Sequence, residues 1–284
     1  MSGKQITWEE AVLQLKSEKR MESLVRACYY DDPLAAAAQR FAESEEWQAV
    51  CEILGGWLPG KALDLGAGHG ISSYALARQG CRVTALEPDP SGVVGGGAIR
   101  ELARETGATI TVVRGHGETL PFAAASFDIV YGRQVLHHAA NLVRLCGEVA
   151  RVLRPGGIFM AAREHVISEL SDLDVFLKTH PLHHLYGGEN AFLLKQYQQA
   201  IEAAGLLMKK IYGPYDSVIN YFPLTKAEYR EEIAGPLGKV VGKGLASRIA
   251  GHEKVQGLVG CMRSWLSDVP GRIYSFVAIK SRIL

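Results

Sequence analysis

The chain has 284 residues, with 31 Lys and Arg against 30 Asp and Glu and an apolar fraction of 48%. That length and apolar content predict one elaborated domain, and the near-neutral balance excludes a global pull toward nucleic acid or an anionic membrane surface. Cys28, Cys51, Cys81, Cys146 and Cys261 are scattered without a CxxC pair, which argues for reduced thiols in a cytoplasmic setting and against a structural zinc site.

In chain order, MSGKQITWEEAVLQLKSEKR mixes charges among apolar positions at helical spacing, so it is expected to be neither a signal peptide nor a membrane span. Residues 6–56 predict two or three helices, with Trp8, Val12 and Leu15 on one stripe and YYDDP (29–33) as a turn that either folds over a bound cofactor or is ordinary Asp-Pro turn chemistry. Short apolar runs then alternate with helical stretches: KALDL, RVTALE, TITVVR, FDIVYG and GIFMAAR. The helix AFLLKQYQQAIEAAG (191–205) leads into LLMKKIYG, and RIYSFVAIK (272–280) reads as a last strand. This alternation predicts an α/β fold with a mainly parallel sheet covered by helices. Residues 165–190 and 214–271 fall outside the alternation and are expected to enclose a substrate at the carboxyl edge of the sheet.

The strongest chemical signal is LDLGAGHG (63–70). A buried strand ends near Asp64, and Gly66, Gly68 and Gly70 let the chain turn sharply and bring backbone N–H groups against a ligand. The residue after Gly70 is Ile71, so the third close-packing glycine of a dinucleotide fingerprint is missing and a pyrophosphate cofactor is disfavoured. Glu87 ends the next strand about 20 residues on, where a carboxylate can accept both hydroxyls of a ribose. The glycine run of VGGGAIR (94–100) predicts either a close approach by the cofactor or a neighbouring helix, or a frayed helix start.

With GHGETLPF, FDIVYGRQVLHH (127–138) and RVLRPGGIF (151–159), these motifs cover about residues 60–165, and the chain resembles the class I S-adenosylmethionine-dependent methyltransferases that act on small molecules. The resemblance implies a Rossmann-like, doubly wound seven-stranded sheet, mostly parallel with an antiparallel last strand. It implies a helical cap over residues 1–58 and a methyltransferase domain over 59–284 carrying the two insertions as lids. Asp64, Gly66, Gly68 and Gly70 would hold the methionine portion of S-adenosyl-L-methionine, and Glu87 the ribose. His116, Gly117 and Glu118 would lie by the adenine, although the family often has an acidic residue where this chain has His116. Gly132 and Arg133 would lie near the sulfonium and carboxylate ends, and an arginine there can fork onto a carboxylate.

Methyl transfer needs alignment and exclusion of water more than a protein nucleophile or a metal. Glu164 and His165 follow GIFMAAR as a candidate base and its orienting partner. His137 and His138 read as structural, as such a pair often is in the family. In HPLHHLYGGEN (180–190), a continuous helix would put His180 and His184 on one face at zinc spacing with Glu189 as a third ligand, but Pro181 disfavours that register. A polar lid on which His180, His183 or His184 moves a proton or contacts the substrate is the preferred reading, hinged at Gly187 and Gly188, with His180 and His183 the catalytic candidates. Lys239, Lys243, Arg248, Lys254 and Arg263 read as a solvated helix face or as a patch for a phosphate- or carboxylate-bearing substrate.

The expectation is therefore methyl transfer to a small polar acceptor, oxygen before nitrogen, with no nucleic acid or membrane partner and a homo-oligomer left open. A non-catalytic cofactor-binding protein and a metal-assisted enzyme are the alternatives.

Overall fold

A computed structural model describes residues 6–282. Strands β1 (Lys61–Leu65), β2 (Arg82–Leu86), β3 (Ile110–Val113), β4 (Phe127–Arg133), β5 (Leu153–Ile167), β6 (Phe192–Leu193), β7 (Leu206–Tyr212) and β8 (Arg272–Lys280) join in one sheet. The order is β3-β2-β1-β4-β5-β8-β7, and the two-residue β6 pairs with β5 off this path. The seven strands expected are the seven on the path; β6 makes the eighth. β8 runs antiparallel to both neighbours, β5 and β7, whereas β1, β2, β3, β4 and β5 pair in parallel.

Alternation along the strands divides the core between two faces. Ala62, Ile129, Tyr131, Ile158 and Met160 join one apolar cluster, and Leu63, Val130, Phe159 and Ala161 join the other. Phe41, Trp47, Val50 and Leu54, from the helices Leu34–Ala42 and Glu45–Leu54, belong to the first cluster, so the N-terminal helices share the core of the sheet. Ser44 starts the second of these helices by accepting the Trp47 N–H, which sets the direction in which Glu46 points.

Two strands depart from simple register. β5 continues past Arg163 to Ile167 instead of ending there, with an irregularity between Ala161 and Glu164 opposite β8. Ala161 faces Phe276 and Glu164 faces Tyr274, so β5 carries one residue more than its partner, and Arg163 takes φ 63°. The Arg163 guanidinium donates to the carbonyls of Ile219 and Phe222 at 2.6 and 3.2 Å, holding the bulge. β7 has a similar shift between Met208 and Lys210.

The glycines of 95–97 belong to a packed helix start, not a frayed one. A Cβ on Gly95 would stand 2.3 Å from the Asp89 carbonyl oxygen, and one on Gly97 2.8 Å from that of Ser91, so the helix Gly96–Thr106 begins packed against its own connection from β2. The second insertion forms the helices Val218–Tyr221, Lys226–Val241, Lys243–Ala250 and Glu253–Leu266. Lys226 N–H donates to Glu45 and Asn220 bonds Ser275 of β8, so the insertion is anchored to the N-terminal helices and the sheet edge. Among the described residues no helix is long and apolar enough to cross a membrane.

Candidate active site

A cavity of about 450 Å³ opens at the carboxyl ends of β1, β2, β4 and β5, where the strand order reverses around β1. One side is the glycine loop. Gly66 takes φ 61°, and a Cβ there would lie 2.8 Å from Val135, so the turn tolerates only the bare backbone. Gly68 N–H donates to Glu87 Oε2 at 2.7 Å and Asp89 N–H to Oε1 at 3.0 Å, fixing the carboxylate against the loop. Burial nonetheless pushes the Glu87 carboxyl up to about 7. Asp64, buried, accepts the Ser73 hydroxyl at 2.5 Å, and burial raises it to about 7 as well.

The other side is a wall of imidazoles. His137 lies on the turn after β4 with its Nδ1 2.7 Å from Glu164 Oε2 and its Nε2 3.5 Å from Glu189 Oε2. Burial alone would lower its pKa, but the hydrogen bond to Glu164 and the facing Glu189 carboxylate outweigh it and hold the ring at about 9. Glu164 also accepts the N–H groups of Val135 at 3.1 Å and His137 at 3.1 Å. His165 donates Nδ1–H to the Gly271 carbonyl at 2.9 Å, and burial lowers it to about 3, leaving a neutral ring. His180 packs against it with ring centroids 5.4 Å apart, and its buried Nδ1 has no hydrogen-bond partner. Burial lowers its pKa too.

The roof is built from the N-terminal helices and the segment around Tyr186. Thr7 accepts the Glu10 N–H while Glu10 accepts that of Thr7, starting the helix Trp8–Ser17 so that Trp8 meets Tyr186 at 4.5 Å and Tyr30 at 6.0 Å. The Tyr30 ring packs tilted against His69 of the glycine loop, centroids 4.6 Å apart, and His69 Nε2–H donates to the Tyr29 carbonyl at 2.9 Å. YYDDP therefore folds over the glycine loop. Burial lowers His69 to about 4, so this link is made by a neutral ring.

Asp64, Gly66, Gly68, Glu87, His116, Gly117, Glu118, Arg133, His165 and His180 line the cavity. Several expectations are corrected. Gly70 and Gly132 stand behind the lining, Gly70 packed on Ile99 and Gly132 within β4. Arg133 borders the cavity, but its guanidinium is forked onto buried Glu46 at 2.7 and 3.1 Å and is not held out for a cofactor or substrate carboxylate. Glu164 does not orient His165: they are consecutive strand residues, and Glu164 lies outside the lining, bound to His137. His183 is also outside it. The helix Asp172–Thr179 breaks at His180, as Pro181 requires, and exposed His184 bonds the Lys178 carbonyl at 2.6 Å, so no His180–His184–Glu189 set forms.

No residue of 214–271 lines the cavity, so the lid expected there does not cover it, and Lys239, Lys243, Arg248, Lys254 and Arg263 stand away from it. Sequence reasoning placed Tyr30 over the cavity but missed Trp8, His69, Gln134 and Tyr186 as lining residues. The Trp8 stripe was a visible signal; what it covers was not.

Residues 63–161 match a family model described as a methyltransferase domain. An uncharacterized methyltransferase from Mycobacterium sp. (strain JLS) is 35% identical over 150 residues, 51% of this chain and 54% of that protein. The ubiquinone biosynthesis O-methyltransferase of Agrobacterium fabrum is 29% identical over 132 residues, 46% of this chain and 52% of that protein. The chain thus spans about half the length of the curated relatives it matches. An S-adenosylmethionine-dependent methyltransferase structure from Mesorhizobium loti shares the fold with a TM-score of 0.56 and 18% identity, covering 84% of this chain and all of that one. With the glycine turn, the acidic end of β2 and the antiparallel last strand in place, residues 63–161 are similar to a methyltransferase domain, and the chain shares the fold of the S-adenosylmethionine-dependent methyltransferase structure.

Proposed function

We propose that the protein transfers a methyl group from S-adenosyl-L-methionine to an oxygen of a small polar acceptor. The observation that carries this reading is that one cavity joins the Gly66–Gly68 turn and the Asp64 and Glu87 carboxylates to a wall of imidazoles, of which His165 and His180 are neutral. The bare backbone at Gly66 and the polar ends of β1 and β2 suit the cofactor: Glu87 would take its ribose hydroxyls, Asp64 its methionine portion, and the His116–Glu118 segment its base. When bound, the cofactor supplies a methyl carbon whose bond to sulfur breaks, leaving the electron pair on sulfur, as the acceptor oxygen attacks.

The chain's own work is to place that oxygen, exclude water and take its proton. Trp8, Tyr30 and Tyr186 close the roof against water. His165 presents Nε2 toward the acceptor side because its Nδ1–H is held by Gly271. His180, neutral and with Nδ1 unpartnered, takes the proton. Glu164 is a positioning residue that acts through His137. The named activity of the Agrobacterium relative, an O-methyltransferase, supports oxygen before nitrogen.

The test is release of S-adenosylhomocysteine in the presence of small hydroxylated and amino compounds. Release driven by hydroxylated acceptors is expected. Release with amines alone would overturn the preference for oxygen, and none above the acceptor-free background would overturn the transferase reading in favour of a cofactor-binding protein.

A further inference from the structure

We propose that His137, His165 and Glu189 form a site for a divalent first-row transition cation that faces the acceptor end of the cavity. Among the described residues they are the one group of three able to hold a metal, with one donor atom from each lying within 4.8 Å of the others. All three are buried and line the cavity.

The rings are prepared for ligation. In metal sites a ligating histidine donates its second ring N–H to a carboxylate or backbone carbonyl, which fixes the tautomer and aims the other nitrogen. His137 Nδ1 is bound to Glu164 at 2.7 Å and His165 Nδ1 to the Gly271 carbonyl at 2.9 Å, so Nε2 is the ligating atom of each ring, and the His137 Nε2 proton that faces Glu189 is released to solvent when a cation takes its place. Glu189 is held by the Tyr186 hydroxyl on Oε1 at 2.5 Å, while its Oε2 is buried without a hydrogen-bond partner. That oxygen lies 3.5 Å from His137 Nε2. Tetrahedral ligation with bonds of about 2.0–2.1 Å spaces donors about 3.3 Å apart, so this pair is already in place. The widest separation in the group closes by about 1.5 Å through movement of side chains and of the Gly187–Gly188 turn beside Glu189.

Charge and donor type select the ion. Two buried carboxylates, Glu164 and Glu189, are balanced by one divalent cation when the imidazoles are neutral. Two imidazoles and one carboxylate favour zinc, cobalt or iron over magnesium or calcium. Three protein ligands leave a coordination position open toward the cavity, where the acceptor oxygen would bind and be polarised. The acceptor's role rests on the methyltransferase reading; cation binding does not.

The test uses the full chain after chelator treatment, titrated with cobalt(II) alone and followed by visible absorption and by metal analysis after gel filtration. S-adenosylhomocysteine binding is measured on the same sample by calorimetry. One cobalt per chain with a visible ligand-field band is expected, with affinity at least tenfold lower in Glu189→Gln and in His165→Ala and unchanged in His184→Ala. Circular dichroism confirms that each variant is folded, and the conservative Glu189→Gln decides if His165→Ala is not. No uptake by folded protein, uptake unaffected by Glu189→Gln, or loss only in His184→Ala would overturn the proposal. Protein that takes up no cobalt yet binds S-adenosylhomocysteine overturns the cation site alone. Cobalt uptake without nucleoside binding overturns the methyltransferase reading and leaves the site standing.

Discussion

Glu164 grips His137 twice, accepting the imidazole Nδ1–H at 2.7 Å and the backbone N–H of the same residue at 3.1 Å. With the Val135 N–H also bound, one carboxylate fixes the turn that follows β4. Because Glu164 is fully buried, Glu164→Ala leaves these donors without a partner and is expected to cost about 3 kcal/mol of stability. Glu164→Gln, which keeps an acceptor but not the charge, is expected to cost less. Urea denaturation of the two variants checks the order; equal midpoints with wild type would remove Glu164 from its positioning role.

Arg133 and Glu46 tie β4 to the N-terminal helices, with side chains only 10% and 0% exposed. Glu46→Ala strands the guanidinium and is expected to destabilise by about 3 kcal/mol, whereas converting both residues to Met recovers most of that loss. Urea midpoints of the single and double variants measure the coupling.

Asp64 and Glu87 are both raised by burial to about 7 in the ligand-free protein. An acid raised on folding contributes stability that is fully present below its unfolded pKa and is lost as pH rises through the folded value, so these groups weaken the free protein from about pH 4 upward to beyond 7. A bound cation favours the ionised carboxylates. Calorimetric titration with S-adenosylmethionine at about pH 6.5, in buffers of different ionisation enthalpy, should therefore show proton release that disappears near pH 9. Binding without proton release at the lower pH would contradict the assignment.

Gly66→Ala places a Cβ 2.8 Å from Val135 at a φ of 61° and is expected to weaken S-adenosylhomocysteine binding at least tenfold. Gly147, in the helix Leu142–Val152 with nothing within 4 Å of its Cβ position, is the contrast. Gly147→Ala is expected to leave binding unchanged and raise stability by about 0.5–1 kcal/mol. Calorimetry and thermal unfolding test both.

The sheet and the cofactor side were legible in the sequence because strand–helix alternation and a glycine turn are local patterns. The imidazole side was not, and the reason lies at Arg163. AAREHV contains no glycine or proline to mark a bulge, yet one extra residue there puts Glu164 on the same face as Ala161 and opposite Tyr274, where His137 can reach it. Simple alternation would have left Glu164 on the other face. His137 looked structural, and Glu189 looked like a partner of His184, because their meeting depends on this bulge and on the break at Pro181. The roof was hidden for a similar reason: Trp8 and Tyr186 meet across 178 positions of sequence by packing alone.

The most direct measurement is calorimetric titration of the folded protein with S-adenosylhomocysteine, alongside Glu87→Ala. One site per chain is predicted, with affinity at least tenfold lower in the variant because a carboxylate bound to the ribose hydroxyls contributes about 1.5–3 kcal/mol. Folded protein that takes up no S-adenosylhomocysteine, or a variant that binds as tightly as wild type, would contradict the account.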